Sequence, residues 1–99
     1  MPASISNVIE FETKKGEDLR LLQLEIQLLL RHIRQVSVEC VDCSLKPIRD
    51  PDGWIIEFVW RDEKSMQAHF ASKFLDVLIR LLILRCSKLT FGVVSDVAA

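Results

Sequence analysis

An α+β domain with segments in the order β-α-β-β-α-β, built to work as a dimer, is what the patterning of this chain predicts. Three observations carry that expectation. Ile5–Thr13 and Trp54–Trp60 alternate in the two-residue rhythm of strands, and the stretches from Glu17 and from Asp62 step their apolar residues three and four positions at a time, as helices do. Between the central strands, Arg49-Asp50-Pro51-Asp52-Gly53 joins proline, which presets one backbone angle, to glycine, which tolerates a positive one, so a tight hairpin should close there.

The elements follow in order. In the first strand Ile5, Asn7, Ile9 and Phe11 share one face, with Ser6, Val8, Glu10 and Glu12 on the other. Lys14-Lys15-Gly16 breaks the pattern, and Leu19, Leu22, Ile26, Leu29 and Ile33 then mark the buried stripe of an amphipathic helix. A second stripe, Leu21, Leu24 and Leu28, exceeds what one sheet face needs and points to a partner surface. Val36–Ile48 reads as the second strand, with Glu39, Val41, Cys43 and Leu45 opposite Cys40, Asp42, Ser44 and Lys46. In the third, Trp54, Ile56, Phe58 and Trp60 fall on one face and Ile55, Glu57 and Val59 on the other. Asp62 caps the second helical stretch, whose buried side runs through Met66, Phe70, Phe74, Leu78, Leu81 and Leu82. Ala71-Ser72-Lys73 allows either one helix or a short one followed by a longer one. Leu89–Val94 forms the last strand, and Ser95–Ala99 reads as a loose tail.

Composition limits what such a domain can be. Ninety-nine residues make one hydrophobic core, so 1–99 is read as a single domain with an ordered core of 5–95. With 49% apolar and 27% charged residues the chain is globular in composition, and its net charge of −1 argues against nucleic acid or a membrane surface as partner. Met1-Pro2-Ala3-Ser4-Ile5-Ser6 lacks a charged leader followed by an apolar stretch, and Phe74–Leu84 is interrupted by Asp76 and Arg80, so a cytoplasmic location is expected. Three cysteines do not form a disulfide framework and read as small core residues.

Two split β-α-β units give one antiparallel sheet with both helices on one face, the ferredoxin-like arrangement. Apolar residues on both faces of Trp54–Trp60 leave the other face in need of a cover, and a second copy of the chain supplies it, hence a homodimer.

Gly53–Phe74, Gly-Trp-Ile-Ile-Glu-Phe-Val-Trp-Arg-Asp-Glu-Lys-Ser-Met-Gln-Ala-His-Phe-Ala-Ser-Lys-Phe, resembles the antibiotic biosynthesis monooxygenase domain family, in which the third strand ends in tryptophan and the next helix carries a histidine followed shortly by serine. Trp60, His69 and Ser72 occupy those positions. The resemblance implies a dimeric α/β barrel with a small pocket between sheet and helices in each subunit. Some relatives oxygenate polycyclic aromatic substrates without metal or flavin, and others degrade haem. The chain lacks the proline-glycine pair common before the second strand, having Arg34-Gln35-Val36-Ser37 there, and it has no tyrosine. Asn7 fits the asparagine of the haem-degrading branch, but His69 stands where an aromatic is expected and no histidine lies near Ile79, which argues against haem.

The resemblance makes His69 and Asn7 the catalytic candidates: His69 to exchange a proton with a bound hydroxyl, Asn7 to polarise a carbonyl or hold oxygen near an activated carbon. The competing readings are a histidine bridging within the fold or the dimer, and a structural asparagine at a strand edge. Trp54, Phe58, Trp60 and Phe70 are candidates to line an aromatic pocket, against the reading that they only pack the core. Arg61 is a candidate to steady an anionic group, against a solvated charge beside Asp62 and Glu63. Cys40-Val41-Asp42-Cys43 has C-x-x-C spacing, which invites a redox or zinc reading, but on a regular strand residues three apart point to opposite faces, so neither metal nor dithiol chemistry is expected. An RNA-recognition reading of the same strand order fails on Asp52, where a basic residue is needed. The expected function is that of a small cofactor-independent monooxygenase acting on an aromatic or quinol-type metabolite with molecular oxygen as co-substrate; the alternative is a non-catalytic dimeric binding module of the same fold.

Overall fold

A computed structural model describes residues 5–49 and 53–95. The chain runs β1 (Ile5–Thr13), α1 (Leu19–Val36), β2 (Cys40–Arg49), β3 (Gly53–Trp60), α2 (Glu63–Phe70), α3 (Lys73–Arg85) and β4 (Cys86–Ser95). The strands make one sheet in the order β2-β3-β1-β4, with every neighbouring pair antiparallel. This is the ferredoxin-like arrangement the patterning predicts, with its second helical layer divided in two. The centre of the predicted hairpin turn, 50–52, and the tail at 96–99 lie outside the described residues.

Register explains which faces are buried. Asn7, Ile9 and Phe11 of β1 stand opposite Phe58, Ile56 and Trp54 of β3, so the alternating sets of both strands point toward the helices together. Ile9, Phe11, Ile56, Phe58 and Trp60 join Leu22, Ile26, Leu30 and Ile33 of α1, Met66 of α2 and Leu75, Leu78 and Leu82 of α3 in one core. Leu30 takes the buried position expected of its neighbour Leu29, which is only partly covered. Leu21, Leu24 and Leu28 remain exposed.

Two boundaries differ from the expectation and one open choice is decided, each for a local reason. Val36 ends α1 instead of starting β2: Ile33 continues the helical stripe, and the Ser37 N–H caps the end by donating to the Ile33 carbonyl at 2.8 Å. The second helical stretch does break at Ala71–Ser72. Ser72 N–H donates to His69 O at 2.9 Å, and the Ser72 hydroxyl accepts from Phe74 N–H at 3.1 Å, closing one helix and capping the next. Within α2, His69 follows Met66 by three residues on the buried side, and Phe70, expected there, is 47% exposed. β4 starts at Cys86, directly after α3, and is longer than expected at its beginning. That junction is clamped from the β1–α1 loop: Lys14 N–H donates to Arg85 O and Lys14 Nζ to Leu84 O, each at 3.2 Å, while the Arg85 guanidinium bonds Glu17 and Glu25.

A third difference concerns the cysteines. Cys40 pairs with Trp60, but Asp42 then pairs with Val59 and Cys43 with Phe58, which leaves Val41 bulged out of register. The extra residue restores the phase, so Cys40 and Cys43 lie on the same, helix-facing side of β2. The expectation that their thiols diverge, which holds for a regular strand, is overturned by this bulge.

Candidate functional site

Trp60 closes β3 on the helix-facing side of the sheet, and the last turn of α2 lays His69 over it. The His69 ring centroid is 4.7 Å from that of Trp60 and 4.5 Å from that of Phe58. Opposite, on β1, the Asn7 Oδ1 accepts a hydrogen bond of 2.6 Å from the Trp60 Nε1. Asn7 and His69 are 4% and 3% exposed, so both are held by the fold and not by solvent.

Their bonding states differ. Asn7 has its oxygen occupied by the indole. His69 has no hydrogen-bond partner on either ring nitrogen among the described residues, an unusual condition for a buried imidazole. Burial with no compensating acid beside it pulls its pKa down from 6.5 to about 4. At neutral pH the ring is therefore uncharged, with one N–H to give and one lone pair to receive.

A cleft of about 390 Å³ opens beside His69, between the last turn of α1 with its following loop and the start of α2. Trp60 and His69 form its inner wall, Val36 and Val38 one side, and Lys64, Ser65 and Ser72 the other. A second hollow of about 270 Å³ lies past Asn7, between Phe70 and the Phe91–Val93 segment of β4. The two catalytic candidates thus flank Trp60 but border different spaces.

The remaining candidates separate in the same way. Phe58 is fully buried under His69 and supports the imidazole from below. Arg61 is exposed and bonds Glu39 at 3.3 Å, tying the rim of the cleft together. Phe70 borders the second hollow. Trp54 stands at the opposite end of β3, six residues or roughly 20 Å from Trp60, where it borders a narrow gap with Leu19 and Leu22. Alternation along a strand places both tryptophans on one face and says nothing about the distance between them. Val36, Val38 and Lys64 were not foreseen as part of a site. The available signal was two valines in a stretch that fits neither helix nor strand cleanly. Among the described residues no group of three histidine, cysteine or acidic side chains is placed to hold a metal, and no helix is long and apolar enough to cross a membrane.

No family profile and no curated protein matches the sequence. Solved structures do match the fold. SnoaB, a cofactor-independent oxygenase from Streptomyces nogalater, superposes with a TM-score of 0.78 at 14% identity, over 97% of this chain and 95% of that one. A hydroxynitrile lyase from Passiflora edulis gives 0.79 at 9% identity, over 100% and 98%. An antibiotic biosynthesis monooxygenase gives 0.75 at 18% identity, over 96% and 98%. At these identities the likeness establishes architecture and not chemistry: the chain has the ferredoxin-like fold of SnoaB and of the antibiotic biosynthesis monooxygenase, the family its Gly53–Phe74 segment resembles.

Proposed function

We propose that this protein is a homodimeric, cofactor-independent monooxygenase whose substrate is a small aromatic or quinol-type metabolite held in the cleft beside Trp60 and His69. The observation that carries the reading is His69: a buried, uncharged imidazole with both nitrogens unpartnered, facing a cleft of substrate size. A hydroxyl donated to its lone pair would satisfy one nitrogen at once. Proton transfer then leaves an imidazolium beside an electron-rich anion, and each charge stabilises the other in the apolar cleft. Such an anion reduces molecular oxygen directly. For an activated methylene the balance is CH2 plus O2 to C=O plus water, with all four electrons that reduce the oxygen taken from the substrate, so no redox cofactor is required. Asn7 acts on this chemistry by holding the Trp60 indole, and the fold shared with SnoaB supports the same assignment.

A binding module without turnover is the second reading. It is favoured by the same low basicity of His69, which weakens it as a proton acceptor, and by an Asn7 oxygen already bonded to Trp60.

Oxygen uptake by purified, metal-free protein across phenols, quinols and anthrones, with thermal shift on the same panel, tests both. Uptake above the uncatalysed rate that falls at least tenfold in His69→Ala supports the enzyme. Stabilisation against heat without uptake supports the module, and neither signal across the panel removes both.

A further inference from the structure

The bulge at Val41 gives the Cys40–Cys43 pair a geometry that a regular strand denies it. Their partners across the ladder, Trp60 and Phe58, are two residues apart. The Cα separation along β2 is therefore roughly two strand steps, about 6.6 Å, instead of about 10 Å for three. That falls inside the range of about 4.4–6.8 Å over which disulfides form.

The surroundings divide the two thiols into different roles. Cys40 is buried, and its Sγ lies 3.4 Å from the Asp42 carbonyl oxygen. Cys43 is partly exposed, with its Sγ 3.6 Å from the Leu30 carbonyl oxygen on α1. Arg34, one turn further along α1, reaches the same stretch of β2, donating to the Val41 carbonyl at 3.4 Å and to Asp42 at 3.5 Å. A hydrogen bond from Cys40 holds the Cys43 thiol down at about 7, with Arg34 adding to the effect against burial and Asp42, while Cys40 is pushed up. Near neutral pH Cys43 is therefore the thiol that gives up its proton first, with Cys40 its protonated neighbour. Cys86, buried beside Glu17 and pushed up to about 11, stays an inert thiol.

From this geometry we infer that Cys40 and Cys43 form a reversible redox site that reacts with hydrogen peroxide and closes to an intramolecular disulfide. The Cys43 thiolate attacks one peroxide oxygen and breaks the O–O bond. The departing hydroxide takes up a proton as water, and Cys43 is left as the sulfenic acid. Cys40 then attacks the Cys43 sulfur, its proton leaving with the sulfenic hydroxyl as a second water. Two thiols and one peroxide thus yield one disulfide and two waters. A small oxidant suits a partly covered sulfur better than a bulky disulfide does. The consequence reaches the cleft: Cys40 pairs with Trp60, and the preceding residues Val38 and Glu39 line the opening, so tightening the bulge moves the cleft wall.

The test is peptide mass spectrometry on the full chain after treatment with hydrogen peroxide at pH 7. The peptide spanning 35–49, which contains both thiols, should lose the mass of two hydrogen atoms, and dithiothreitol should restore it. In Cys40→Ser, Cys43 should stop at a sulfenic acid that dimedone captures. In Cys43→Ser, peroxide consumption should fall at least tenfold, while Cys86→Ser reacts like the parent. Oxygen addition without hydrogen loss, bridges to Cys86 or between chains, or equal peroxide reactivity of Cys43→Ser and the parent would each overturn the inference, whatever becomes of the cleft's proposed activity.

Discussion

The Trp60 indole N–H and the Asn7 carboxamide oxygen meet at 2.6 Å inside the core, joining the end of β3 to the start of β1 and fixing the ring that walls the cleft. Asn7→Ala removes the acceptor and leaves the indole N–H buried and unsatisfied. A loss of about 1–3 kcal/mol in stability is expected from urea unfolding. Trp60→Phe removes the donor, and the double variant should lose less than the sum of the two singles if the bond accounts for the coupling. Additive losses would show that the two residues act independently.

His69 should make stability depend on pH. Its pKa falls on folding from 6.5 to about 4, so between those values the unfolded chain binds a proton that the folded chain does not. The contribution is complete above about 6.5 and is lost as pH drops toward 4. At about 1.4 kcal/mol per unit it is on the order of 3 kcal/mol. Subtracting the denaturation profile of His69→Phe from that of the parent isolates the effect from the acidic side chains. A flat difference between pH 7 and 4 would mean that the imidazole is charged or solvated in the folded protein.

Ser72 has two duties that can be separated. Its hydroxyl caps α3 by accepting from Phe74 N–H, and it also borders the cleft. Ser72→Ala should cost about 1 kcal/mol in stability. Ser72→Asp restores a capping acceptor but adds a negative charge to the cleft. It should therefore recover most of the stability while weakening any phenolate-type ligand, read by thermal shift with and without ligand.

The sheet surface away from the helices carries Val8, Ile55 and Val59, each only partly exposed, with Val94 more open. A dimer at micromolar concentration is expected in sedimentation, and Ile55→Glu with Val59→Glu should convert it to monomer without loss of helical circular dichroism. A parent that sediments as a monomer would remove the dimer from the proposal.

Elements whose pattern depends only on their own residues were legible from sequence. Trp54–Trp60 declares its faces because the alternation of large side chains is uninterrupted, and α1 because its stripe holds through Ile33. Features that need a partner were not legible. The bulge at Val41 exists only relative to β3, and no local signal marks it. The separate buried faces of α2 and α3 depend on Ser72 ending one helix and starting another. His69 packs on Trp60 at one end of β3, whereas Trp54, which shares a face with Trp60, lies at the other end of the strand, because alternation gives a residue's face and not its place along the strand.

The sheet order has a consequence for how the protein is made. β1, the first of the four described strands to be synthesised, lies between β3 and β4, and β4 is the last of the four. Until Cys86–Ser95 has been synthesised, one edge of β1 has no strand to pair with and keeps a row of open backbone donors and acceptors. The nascent chain therefore waits with its central strand half-paired, and folding cannot finish during translation before that final segment appears. A chain truncated before Cys86 should be prone to pairing with its neighbours, and one that includes Cys86–Ser95 should not.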